Sequence, residues 1–440
     1  MSLLRTLARL PRLALPLSLV VFAACRGGAR AQAAAHHHAP AEAAGIDWSQ
    51  VTSRDLDIAS VFLVARDQGV RPALDSLQVL ARGDHRIDLM GHQIAHAVGR
   101  FAVERRGFDA GVFAECRPAF LSGCYHGVLE GWMAGHPGAD AASLRALCAT
   151  PAMATLPPYA FRECAHGLGH GLAGMHGHDI EAALPDCDVA LTGALARREC
   201  YDGVYMENVV FSQGGESLNV GDAMAAHHQH AQGDRKLLRV DDPSFPCDSV
   251  ASPAHAPACW SYQPVVFLNT FREDVPRTLA GCDAAPAGSV GSCYRGFGKQ
   301  MLGRYPQRPD SVARICAGTG GHAAECVGGM VEFYVDQEWK ADSAFAFCAT
   351  APGTIREACY RAAGERAAWI DPSPAALRSA CAAAGPYAAA CLSAAEAEHA
   401  ADALPRAGIA SPPAPRPAAS GSHPAPAPSP PAMPHHHHTP

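Results

Sequence analysis

Between residues 85 and 400 the apolar positions fall into two alternating kinds of segment. Short ones end in a cysteine, as in Asp342-Ser-Ala-Phe-Ala-Phe-Cys348 and Pro374-Ala-Ala-Leu-Arg-Ser-Ala-Cys381. A turn containing Gly or Pro follows, and then a longer segment holds a second cysteine, as in Thr354 to Trp369 around Cys359. Both kinds are rich in Ala, Leu, Glu and Arg, lack the two-residue alternation of strands, and are bounded by helix breakers, so both predict helices. First cysteines from Cys282 onward recur at Cys316, Cys348 and Cys381, steps of 34, 32 and 33 residues. A unit of that length with two helices predicts an all-α solenoid of about eight to nine helix-turn-helix repeats of ~33 residues. Residues 54 to 82 predict two further helices capping its start.

Cysteine arithmetic sharpens the picture. The chain has 17 cysteines, and 16 of them form short-range pairs: Cys116 with Cys124, Cys148 with Cys164, Cys187 with Cys200, Cys247 with Cys259, Cys282 with Cys293, Cys316 with Cys326, Cys348 with Cys359 and Cys381 with Cys391. Each pair joins the end of a first helix to the second helix of the same unit, so one disulfide per repeat is the simplest connectivity. Closing a ~15-residue loop is worth up to about 3 kcal/mol in the chain-entropy model, which suits an Ala-rich repeat with little bulky core. No pair has the spacing of a structural zinc site. Repeat length and cysteine placement resemble the Sel1-like and tetratricopeptide-type repeats, particularly the disulfide-stapled, cysteine-rich Sel1-like proteins. The resemblance covers most of residues 85 to 400 and is architectural, because the family's consensus leucine, tyrosine and glycine pattern is absent. It implies a solenoid and, as a family habit, contact with protein or peptidoglycan.

The ends carry no core. Arg5, Arg9 and Arg12 precede an apolar run from Leu13 to Ala24, too short for a permanent membrane span, which reads as a signal peptide. It ends Val21-Phe22-Ala23-Ala24-Cys25, similar to the lipobox of bacterial lipoproteins, although Phe22 is not the usual aliphatic residue and cleavage near Ala29-Arg30-Ala31 is the alternative. Cys25, the one cysteine left over, is then the lipid anchor, and a periplasmic or cell-surface lipoprotein of a bacterial outer membrane is expected. Residues 26–45 read as a tether with a His36-His37-His38 run, and residues 404–440 as a Pro/Ala-rich tail ending in His435 to His438. Between them lie an N-terminal repeat region (46–211), an insertion (212–246) and C-terminal repeats (247–403), the last a surface for a protein partner. A net charge of −7 without a basic patch excludes nucleic acid as a partner.

Candidate chemistry concentrates in the first units. Two and six residues beyond the second cysteine stand His126 with Glu130, and His166 with His170; a unit without cysteines, where Met90 takes the cysteine's place, supplies His92 with His96. Residues four apart lie on one helical face, the spacing by which two histidines grip one metal. Asp202 holds the first position in the fourth unit, and later units offer Ser261, Arg295, Gly328, Arg361 and Ser393 there. Glycine three residues after the cysteine recurs in units with and without histidine (Gly127, Gly167, Gly203, Gly296, Gly329), so it serves helix approach, whereas histidine is not a scaffold requirement. Glutamates just before cysteines (Glu115, Glu163, Glu199, Glu325) recur likewise and read as structural. His92, His96, His126, Glu130, His166, His170 and Asp202 are therefore the candidate metal ligands. Glu207, Asn208 and His228 of the insertion are candidates to support them. This nitrogen-rich set suits iron or copper, zinc less well, and exceeds the needs of one tetrahedral ion, so two ions are expected. The His-x-x-x-Glu and His-x-x-x-His spacings resemble those of the hemerythrin di-iron site as convergence of ligand chemistry. The functional expectation is a metal-dependent redox or oxygen-handling protein, with oxidoreductase catalysis left open. The alternatives are a metal-trafficking lipoprotein without catalysis and a repeat scaffold for protein interaction.

Overall fold

In the computed structural model, residues 53–150, 153–212, 239 and 241–406 are described. Among them the elements are α-helices and short 3-10 turns. Helices α1 (Ser53–Gln68) and α2 (Val70–Gly83) cap the start against α3 (His85–Arg106), the unit without cysteines. From there long helices form an inner row: α5 (Gly123–Ala134), α7 (Pro158–Met175), α9 (Ala194–Ser212), α10 (Ala256–Thr270), α12 (Val290–Arg304), α14 (Ala323–Asp336), α16 (Gly353–Ile370) and α18 (Ala388–Arg406). Each packs chiefly on the next long helix. Shorter helices α4 (Ala110–Glu115), α6 (Ala141–Cys148), α8 (Ile180–Ala190), α11 (Val275–Asp283), α13 (Pro309–Ala317), α15 (Asp342–Thr350) and α17 (Pro374–Ala382) form the outer row. This is the helical-repeat solenoid that the cysteine period predicts.

Local chemistry accounts for the breaks. Asp140, Asp179, Asp274 and Ser373 precede short helices, and each side chain accepts a backbone N–H from the first turn, the standard satisfaction of an orphan donor. The expected disulfides are all formed, each within its own unit. Cys116 is bonded to Cys124, Cys148 to Cys164, Cys187 to Cys200 and Cys247 to Cys259. Cys282 is bonded to Cys293, Cys316 to Cys326, Cys348 to Cys359 and Cys381 to Cys391. Their Cα atoms lie 5.3–5.8 Å apart, the ordinary span of such a bridge. Cys124, Cys164, Cys200, Cys259, Cys293 and Cys326 all sit on inner-row helices and are buried, yet none belongs to a metal-ligand group among the described residues. Their sulfurs are spent in covalent bonds, so these cysteines are staples and not part of a site.

One unit departs from the two-helix expectation. Cys247 sits in a single 3-10 turn, Cys247–Ser249, because Pro243, Pro246 and Pro253 leave no run with enough N–H donors for a helix. Helices α9 and α18 end at Ser212 and Arg406, slightly beyond the boundaries expected at 211 and 403. Cys25, the terminal histidine runs and His228 lie outside the described residues.

Glycine sets the spacing of the inner row. A Cβ built on Gly127 would fall 1.9 Å from the carbonyl oxygen of His96, so α5 crosses α3 with backbone against backbone. Gly203, Gly296 and Gly329 occupy the same place against His166, Ser261 and Arg295, at 2.0, 1.9 and 1.8 Å. The row also curls back on itself, bringing α16 against α7. Arg162 of α7 is buried in that contact, ion-paired to Glu199 and Glu398 and stacked on the Trp369 ring 3.3 Å away. Trp339, between α14 and α15, stacks on Tyr159 at 5.2 Å. The inner face of the first units is thereby roofed by the last ones.

Candidate metal centre

Stacking places equivalent positions of α3, α5 and α7 on one wall, so the three histidine pairs converge. Ring centroids of His92 and His126 are 5.7 Å apart, those of His96 and His126 5.1 Å, and those of His126 and His166 4.9 Å. His96, His126 and His170 are buried, and His92 and His166 are partly so. Three groups have ligand atoms mutually within 4.8 Å: His92 with His96 and His126; His126 with His166 and His170; and Glu130 with His170 and Glu207. Buried His/Glu clusters able to coordinate one or more metal ions are therefore present.

The outer nitrogens of these rings are already committed. His92 Nδ1 lies 2.8 Å from the Phe120 carbonyl oxygen, which only accepts, so Nδ1 carries the hydrogen and Nε2 a lone pair. His96 Nδ1 lies 2.8 Å from Glu130 Oε1, and His170 Nδ1 2.9 Å from Glu207 Oε2. His126 Nε2 lies 2.9 Å from Glu163 Oε2. The inner nitrogens face each other: His92 Nε2 and His96 Nε2 at 3.0 Å, His96 Nε2 and His126 Nδ1 at 3.3 Å, His166 Nε2 and His170 Nε2 at 3.2 Å. Ligands about 2.0–2.1 Å from an ion sit roughly 3.0–3.4 Å from one another. A carboxylate or carbonyl behind each of His92, His96, His126 and His170 is also how proteins orient metal-bound histidine.

Electrostatics favour the neutral form of His92, His126 and His166. Burial, followed by the neighbouring His96, pushes the His92 pKa down to about 3. His126 and His166 are held well below the ordinary histidine value, first by burial and then by the surrounding imidazoles. Burial alone would raise the Glu130 carboxyl, but His96 and Arg100 outweigh it and keep it well below the carboxylate range. Glu163 goes the other way, raised to about 8 chiefly by burial.

Of the residues expected from sequence, the histidines and Glu130 come together and Glu207 joins them. Asp202 belongs to none of the three groups. Its carboxylate lies 3.4 Å from Ser261 Oγ and 4.0 Å from Arg198, and burial raises its pKa to about 7. Asn208 is buried next to Glu207 on α9. Sequence reasoning missed Arg100, which shares the Glu130 carboxylate, and the Phe120 carbonyl. It also gave Glu163 only a scaffold role, because glutamate recurs at that position in other units. What sets Glu163 apart is contact with His126 and with Trp339, 176 residues away in sequence, which no repeat comparison displays.

A cavity of about 470 Å³ lies on the other side of Phe120, between α2, the start of α3 and the Gln337-Glu338 turn. Among the described residues, no helix is long and apolar enough to cross a membrane. Comparison with family models, with curated proteins and with solved structures returned no match for this chain. What the structure establishes is an all-helical repeat architecture with one disulfide per cysteine-bearing unit.

Proposed function

We propose that this protein is an extracytoplasmic metalloprotein whose first units hold a resident iron or copper centre that handles oxygen or a small redox substrate. The observation that carries the metal reading is the pair His92 and His96. Both Nδ1 atoms donate outward, so two Nε2 lone pairs confront each other at 3.0 Å. No pair of neutral tautomers relieves that; a metal ion does, and a proton on His96 is the competing occupant. Nitrogen-rich ligands with carboxylate support favour iron, copper or zinc over magnesium or calcium. The overlap of three ligand groups through His126 and His170 favours two ions. Redox chemistry rests on ligand type alone.

Non-catalytic metal trafficking is the second reading, supported by the His36 to His38 and His435 to His438 runs. Burial and outward hydrogen bonds that fix the rings favour a resident ion over one handed on. Location follows from the signal-like N-terminus, from Cys25 as lipid anchor to an outer membrane, and from the pairing of the other cysteines, since disulfides persist in oxidising compartments. The C-terminal repeats remain the proposed surface for a protein partner.

Elemental analysis of protein made in an oxidising compartment and purified without an affinity tag tests the reading. About two equivalents of iron or copper are expected, lost in the His126→Ala/His166→Ala double variant while the fold persists. Folded wild-type protein without metal, and unable to take up iron, copper or zinc, would refute it and leave His96 as a buried charged histidine.

A further inference from the structure

We propose that Trp339 is a positioning residue for the metal centre, acting through Glu163 on His126, so that closure of the solenoid and metal binding favour each other. The inference rests on the metal reading above and assigns the C-terminal units a part in it.

Trp339 is buried and donates its indole N–H to Glu163 Oε1 at 2.7 Å, with Ser122 Oγ also within 3.1 Å. The other oxygen of the same carboxyl, Oε2, lies 2.9 Å from His126 Nε2. The indole therefore fixes which carboxyl oxygen faces the imidazole. With the Glu163 carboxyl ionised, Oε2 accepts from Nε2–H and Nδ1 of His126 is left as a lone pair 3.3 Å from His96 Nε2, inside the cluster. Without the indole the carboxyl keeps Ser122 as its remaining anchor and is freer to rotate, so the tautomer of the His126 ring is set less firmly.

Backbone conformation points the same way. Phe120, Leu121 and Ser122 are consecutive left-handed residues with φ of 57°, 51° and 62°, and Trp339 has φ 51°. Non-glycine residues in that region cost on the order of 1 kcal/mol or more each and persist where surrounding contacts over-determine them. Here the contacts are visible: the Phe120 carbonyl accepts from His92, and Ser122 Oγ lies against Trp339. One short segment thus touches both a candidate ligand and the residue that closes the solenoid. Coupling of this kind is reciprocal, so an ion that fixes His126 also stabilises the return contact.

The test titrates the full-length protein with cobalt(II), following its visible ligand-field bands, in wild type, Trp339→Phe, Glu163→Gln and Trp369→Phe. Signal from the terminal histidine runs is removed by subtracting a His92→Ala/His126→Ala/His166→Ala triple variant. Trp339→Phe keeps a ring to stack on Tyr159 but lacks the donor. It is expected to weaken cobalt binding by 10–100-fold, as loss of an outer hydrogen-bond partner typically does, and to shift the bands. Glu163→Gln, which keeps an acceptor for Trp339 but presents a donor to His126, is expected to do the same and serves if Trp339→Phe fails to fold. Trp369, whose ring lies 6.1 Å from that of Trp339, makes a comparable indole bond to Glu398 at 2.8 Å instead of to Glu163. Its Phe variant should bind within about twofold of wild type, a change well below 1 kcal/mol. Wild-type affinity and bands in Trp339→Phe, or equal weakening in Trp369→Phe, would overturn the positioning role while leaving the metal reading intact. Failure of the wild type to bind cobalt above the triple-variant background would overturn both.

Discussion

Substituting Gly127 by alanine tests whether the spacing of α3 and α5 is what makes the histidines a site. The new methyl would sit 1.9 Å from the His96 carbonyl oxygen and 2.6–2.7 Å from its carbonyl carbon and Cα, where ordinary contact begins at 3.4 Å. The helices must then part by about 1.5 Å, the difference between those two figures. His126 precedes Gly127 and moves with it, so its Nδ1, now 3.3 Å from His96 Nε2, would retreat toward 5 Å. Two nitrogens about 2.0–2.1 Å from one ion can be no more than roughly 4 Å apart, so the variant cannot use both without restoring the clash. Overpacking of this kind costs about 1–3 kcal/mol. If the ion must pull the helices back against that strain, affinity falls roughly 5–150-fold. Gly329→Ala is the internal control, since its methyl would meet the Arg295 carbonyl at 1.8 Å in a unit without histidines. Thermal melts of the metal-free proteins should show similar losses, and metal titration should show a defect in Gly127→Ala alone. Equal affinities in the two variants would refute the claim that helix approach builds the centre.

Further predictions concern stability. His92 is depressed from 6.5 to about 3, and His126 and His166 also lie low, so below pH 6.5 the unfolded chain binds protons that the folded one refuses, and stability falls with pH. Glu163 and Asp202, raised to about 8 and 7, work oppositely and lose stability as pH rises toward those values; urea melts of metal-free protein should peak near pH 6.5, and a steady rise to pH 9 would contradict this balance. Glu332 joins Arg295 and Arg366, and its carboxyl, although buried, is held far below its ordinary value by Arg366 and then Arg295; Glu332→Gln should cost about 3–5 kcal/mol by stranding the buried Arg366 guanidinium, measured by denaturant unfolding, and a loss under 1 kcal/mol would show it to be solvated. Replacing Cys381 and Cys391 by serine should cost about 2–4 kcal/mol in chemical denaturation, and a loss below 1 kcal/mol would show that α17 and α18 stay paired without their disulfide.

The repeat was legible because cysteines mark it. Spacing pointed to the helix pairs, the Cys247 unit excepted, and made intra-unit pairing the simplest disulfide connectivity, since a short loop between two helices leaves a cysteine few partners. The histidine pairs were legible as departures from repeat equivalence: later units carry Ser261, Arg295 or Gly328 where the early ones carry imidazole. Asp202 shows the limit of that logic. It holds the equivalent position one unit on, but the site ends before it, and its carboxylate faces Arg198 and Ser261. Glu163 shows the converse, a residue that looks like scaffold in every unit and acquires its role from a distant one. Periodicity reports which face a side chain occupies; it does not report where the row ends its turn or what then covers that face.

That covering bears on why the centre occupies one end of a repeat row. A solenoid's inner wall is ordinarily open to water, and water would satisfy each histidine separately. Here α16 returns against α7, and Trp339 and Trp369 seal the face at Glu163 and Arg162. Burial removes water as a partner for the inner nitrogens, raises the cost of protonating them, and leaves their lone pairs directed at one another. Closure covers the wall of the later units as well, where Glu332 and Arg366 are buried. The later positions accordingly carry ion pairs such as Arg295 with Glu332 and Lys299 with Asp336, which satisfy themselves without an added ion. Imidazole clusters and self-neutralising ion pairs are thus two solutions to one problem, a polar inner wall that closure deprives of solvent, and only the first leaves ligand atoms free.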